Sequence, residues 1–68
     1  MIVKKGDILE REGKTYEVVV CDATIFVIGE ASFDENGVLC YTCFDSLQAY
    51  SNDETINTLA DLKFTIKN

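Results

Sequence analysis

The stretch TIFVIGEASFDENGVLCYTCF, Thr24 to Phe44, decides how this chain folds. Asn36-Gly37 stands between two runs that carry apolar residues. Both tolerate positive φ, as the type I′ turn of a two-residue hairpin demands. The reading is a hairpin joining Thr24–Asp34 to Val38–Phe44. Gly29 interrupts the first run, where a glycine marks a bulge or a sharp bend. A strand of eleven residues, 24–34, that bends at Gly29 serves two sheets or closes a barrel.

Working outward from this hairpin, Ile8–Arg11 and Lys14–Cys21 flank Glu12-Gly13, a second tight turn in which glycine supplies positive φ. Alternation puts Tyr16, Val18 and Val20 on one face of the second strand, and Thr15, Glu17, Val19 and Cys21 on the other. Asp22-Ala23 turns the chain into Thr24. The first four strands therefore form an antiparallel meander. Ser51 and Glu54 have capping-box spacing, and Ile56, Leu59, Ala60 and Lys63 follow the spacing of one helical face. A short helix is expected there, although Thr55, Asn57 and Thr58 are poor helix formers. Asp45–Tyr50 has room for a single helical turn. Phe64 and Ile66 then alternate with Lys63, Thr65 and Lys67, which reads as a closing strand. With no proline, repeat or linker, residues 1–68 read as a single domain. The expected fold is mostly β: a small antiparallel SH3-like barrel or curved meander sheet, with one short helix before the last strand.

The opening KKGDILEREGKTYEVV, residues 4–19, resembles the first hairpin of SH3-like and KOW-type domains, in which Gly-Asp-hydrophobic is followed by a Gly-Lys turn. The resemblance spans sixteen residues and implies a small barrel. It does not extend to function. KOW-type domains that bind RNA use basic surfaces, whereas the middle of this chain is acidic.

Charge is distributed unevenly. Lys4, Lys5, Arg11 and Lys14 precede residue 15, Lys63 and Lys67 follow residue 62, and the forty-eight residues between hold no base. That span contains nine acids: Glu17, Asp22, Glu30, Asp34, Glu35, Asp45, Asp53, Glu54 and Asp61. Binding to nucleic acid needs cations that neutralise phosphates, so direct nucleic-acid binding is not expected. An anionic membrane surface repels the chain for the same reason. No apolar run reaches the roughly 18 residues of a membrane span, and the first ten residues lack a signal peptide's apolar region. Three cysteines leave one unpaired, which suits a reducing, cytoplasmic setting.

Cys40 and Cys43 have the Cys-x-x-Cys spacing of metal and redox sites. On an extended strand, however, residues three apart point to opposite faces. The chain has no histidine to complete a ligand set, and a redox pair favours a helix N-terminus. Packing is the expected role of these cysteines, with no metal and no cofactor. Without histidine the commonest general base is missing, and no catalytic residue is assigned.

What remains is binding. A non-catalytic protein that presents an acidic face to a basic, nucleic-acid-binding protein is the expected function. Its most specific form is an inhibitor that mimics nucleic-acid charge, of the kind found in phages and mobile elements. The candidate contacts are Asp22, Glu30, Asp34, Glu35, Asp45, Asp53 and Glu54, with Tyr41 and Tyr50 as aromatic anchors. The alternative is an assembly module that self-associates or docks through a sheet edge, since small chains gain stability by oligomerising.

Overall fold

The computed structural model describes residues 1–67 and contains five strands: β1 Ile8–Arg11, β2 Lys14–Cys21, β3 Ile25–Phe33, β4 Leu39–Ser51 and β5 Thr65–Ile66. They form one antiparallel sheet in the order β4-β3-β2-β1-β5. The meander is as expected, and the last strand returns to the free edge of β1, where Leu9 faces Ile66. The sheet stays open, because β4 and β5 are not paired with each other. The closed barrel is not formed.

Hairpin β1–β2 closes over Glu12-Gly13, with φ of +54° and +79°, directly between the paired Arg11 and Lys14. Hairpin β3–β4 turns differently from the type I′ expectation. Asp34 N–H donates to Val38 O, Gly37 N–H donates to Asp34 O, and Gly37 has φ +80° while Asn36 has no positive φ. This is a turn over Glu35-Asn36 followed by a glycine bulge. The Asp34 carboxylate holds it by accepting from the N–H groups of Asn36 and Val38.

The core lies on one face of the sheet. Leu9, Tyr16, Val18, Phe26 and Ile28 are buried there, and Phe64 and Val3 complete the cluster. Val20, expected beside Tyr16 and Val18, is exposed instead. A one-residue bulge shifts the register between Val18, opposite Ile28, and Val20, opposite Val27. The bulge reverses the faces, so Cys21 packs against the core in its place.

The expected helix is also absent: residues 52–64 form isolated turns. Ser51 is no cap, because it ends β4 opposite Ile25. Asp53 takes that role, its carboxylate accepting from the Thr55 N–H and hydroxyl. Around Thr58–Phe64 a single turn ends with Phe64 N–H on Leu59 O, Lys63 N–H on Ala60 O, and Lys63 at φ +68°. That bond pair is a Schellman cap, and its hydrophobic contact joins Leu59 to Phe64 in the core. Apolar packing drives this segment down onto the sheet; helix propensity does not extend it.

Phe26 stacks on Tyr50 at 5.5 Å, and Tyr50 and Tyr16 each meet Phe64 edge to face. The Arg11 guanidinium lies 4.2 Å from the Phe64 ring centroid and donates to Tyr50 Oη and Leu62 O. Asn52 is buried at the other end of this segment. It accepts from Ile2 N–H and donates to Asp22 O and Cys21 Sγ, which ties the amino terminus to the β2–β3 turn.

Candidate protein interface

Beyond Gly29 the β3–β4 hairpin changes character. Ile28 faces Gln48 and Glu30 faces Cys43, so the single residue Gly29 stands opposite the four residues Phe44–Leu47. A Cβ on Gly29 would lie 2.7 Å from Thr42 Cγ2, 3.1 Å from Leu47 Cδ2 and 3.2 Å from Cys43 O. No side chain fits there, which is why the bulge needs this glycine. Ser46 seals it, accepting from Glu30 N–H and donating to Cys43 O. The segment expected as a helical turn, Asp45–Tyr50, is thus bulge and strand.

β4 is an edge strand of thirteen residues. Val38 just before it is exposed, as are Leu39, Tyr41 (62%), Phe44 (73%) and Leu47 within it. Phe44, the first residue of the bulge, is the most exposed of these. Asp45 is the one charged residue in the strand. Natural edges are usually blunted by short length, lysine, proline or bulges, and β4 carries only the last of these. β5, at the opposite edge, has two residues and is followed by Lys67. β4 is the less defended edge.

The candidate carboxylates are spread along the molecule, whose extents are 37 × 20 × 18 Å. Asp22 and Asp53 lie at the end joined by Asn52, where Asn52 N–H donates to Thr24 O. Glu54 sits at this end too, paired with the terminal ammonium at 3.2 Å. Asp34 and Glu35 occupy the opposite tip, a full β3 length away. Glu30 lies between and pairs with Lys14 at 3.2 Å. Asp45 is exposed in the bulge. The seven do not gather on one face.

Several of them also serve the fold. The Asp22 carboxylate accepts from the N–H groups of Ile25 and Thr24 and from the Thr24 hydroxyl, which holds its pKa below the usual aspartate range. Asp53 is lowered likewise by the Thr55 hydroxyl and N–H. Among the described residues, Asp34, Glu35 and Asp45 take part in no salt bridge. These three flank the half-strand Leu39–Cys43.

Tyr41 is exposed beside Cys43, Ser32, Glu30 and Lys14, which line a shallow groove with it. Tyr50 is half-buried in the aromatic stack, so its place is structural. The exposure of Leu39, Phe44 and Leu47 adds apolar surface that the sequence pattern did not reveal. All three cysteines are free; Cys40 is exposed, against the expectation that it packs, while Cys21 and Cys43 are half-buried. Among the described residues no group of three or more His, Cys, Asp or Glu side chains is placed to hold a metal ion. No helix long and apolar enough to cross a membrane occurs among the described residues.

Compared with known protein families, curated proteins and solved structures, the chain matches none.

Proposed function

We propose that this protein is a non-catalytic binding protein that presents its acidic middle to a basic protein partner, in the cytoplasm. The observation that carries this reading is the run of forty-eight residues, 15–62, with nine acids and no base, of which Asp34, Glu35 and Asp45 are exposed and outside salt bridges. Charge of one sign steers association with a cationic surface and makes affinity sensitive to salt. Histidine is missing from the chain, and with it the commonest catalytic base.

In its most specific form the protein occupies a nucleic-acid-binding surface and blocks it, as an inhibitor from a phage or mobile element does.

Affinity capture from the native host, with a salt-step elution and identification of the eluate, tests this. A basic nucleic-acid-binding protein is expected, released by salt, displaced by nucleic acid and weakened by Asp34→Lys with Glu35→Lys. Retention indifferent to salt and to that double reversal overturns the reading.

Self-association through the sheet edge is the second reading, favoured by the exposed apolar side chains of β4. Light scattering separates the two: a stable homo-oligomer insensitive to salt supports assembly.

A further inference from the structure

We infer that the half-strand Leu39–Cys43 is a docking edge that takes an extended segment of the partner as a sixth strand, apolar at alternate positions and basic at both ends. The inference rests on the acidic-binding reading above and specifies where and how that binding occurs. Three observations carry it. β4 is paired only with β3, so its outer edge holds backbone donors and acceptors in the geometry a further strand needs. The Phe44–Leu47 bulge breaks the edge in two: on one side Leu39–Cys43, itself kinked by a one-residue bulge at Cys40 and regular over Tyr41–Cys43, and on the other the regular stretch Gln48–Ser51.

The first of these stretches bears the exposed aromatic and aliphatic side chains, Tyr41 and Leu39, with Val38 and Phe44 at its margins. Its ends are both acidic, Asp34 and Glu35 before it and Asp45 after it. The nearby cations are already engaged, Lys14 with Glu30 and Lys67 with Glu10.

The charge pattern selects the occupant. A second copy pairing antiparallel about Tyr41 would bring Asp34 and Glu35 of each chain toward Asp45 of the other. Like charges placed so oppose pairing, and no cation in Leu39–Cys43 offsets them. A foreign strand with lysine or arginine at its ends meets opposite charge at both. Alternate apolar residues along it would cover Tyr41 and the groove beside it, which Ser32, Ala31 and Cys43 also line.

Binding of synthetic peptides to the isotopically labelled protein, followed by amide chemical shifts, tests the inference. The probe alternates valine and threonine over five residues between paired lysines. A second peptide of the same charge carries two prolines in its centre, so it attracts but cannot pair. Only the first is expected to move the amides of residues 38–43. Tyr41→Lys, which places a blocking cation on the edge, should weaken it by about tenfold. Equal binding of both peptides overturns strand docking and leaves the acidic reading standing. Binding of neither overturns both. A homodimer whose shifts map to residues 38–43 makes the second copy the occupant and overturns the inference.

Discussion

The two halves of the β3–β4 hairpin use the same pair of strands to opposite ends. In the near half, Ile25–Ile28 against Gln48–Ser51, Phe26 is fully buried and stacks on Tyr50 beneath residues 52–64. In the far half, Glu30–Phe33 against Leu39–Cys43, Tyr41 and Leu39 face solvent, and the tip from Phe33 to Gly37 borders an open groove with Ile8 and Lys67. Both halves are rich in aromatic and apolar residues, so composition does not distinguish them. The difference lies in what the chain has left to lay over them. One covering segment follows β4, and Phe64 and Leu59 anchor it to the near half. A domain of this size buries only about 60% of the surface its unfolded chain exposes, and among the described residues five of the ten exposed large apolar side chains lie within residues 38–47.

Aromatic truncation separates the two halves most strongly. Phe26→Ala should cost about 3–5 kcal/mol, enough to unfold a small domain, whereas Phe44→Ala should stay within about 0.5 kcal/mol. Urea denaturation of both variants measures the contrast; similar losses would mean that the far half is covered in solution. Gly29→Ala strikes the boundary between the halves. Its methyl group would meet Thr42 and a backbone oxygen, for a loss of about 1–3 kcal/mol, and amide shifts should change from Glu30 to Leu47.

A smaller effect of opposite sign is expected at the cover. Lys63 holds a left-handed conformation that glycine adopts freely, so Lys63→Gly should stabilise by about 0.5–1 kcal/mol, read as a raised Tm. Smallest is the acid dependence of the near end. The pKa values of Asp22 and Asp53 are depressed in the fold, so their contribution is present above the ordinary aspartate range and lost as the pH falls through the depressed values. Asp22→Ala and Asp53→Ala should flatten the fall of Tm on acidification, while the variants of Tyr41 and Phe44 leave its slope unchanged.

Local chemistry predicted some elements well and misled at others. Glu12-Gly13 joins strands of the predicted bounds because both residues take the conformation that the two-residue turn needs. At Asp34–Gly37 the hairpin was readable but its type was not. The Asp34 carboxylate captures two backbone N–H groups, and that favours a longer loop over the type I′ turn. The helix after residue 51 failed on competition. Ser51 is held by β4 and Asn52 by four long-range hydrogen bonds, so the capping box never assembles. Helices shorter than about 12–15 residues are marginal by themselves, and this stretch lacked the propensity to resist. For the candidate site, the carboxylates and Tyr41 were visible in the sequence. Their dispersal, the structural role of Tyr50 and the exposure of Phe44 were not.

The sequence by itself determined an antiparallel meander, its turns and an acidic middle without a base, because periodicity, glycine positions and charge are local properties. Tertiary structure alone decided which apolar residues stay in water. Register sets that choice, and three bulges shift it: the one at Val19 turns Val20 outward, and those at Cys40 and Phe44–Leu47 interrupt the pairing of β4. A side chain's face in a strand reverses with each residue inserted, so a single bulge outweighs the whole pattern beyond it.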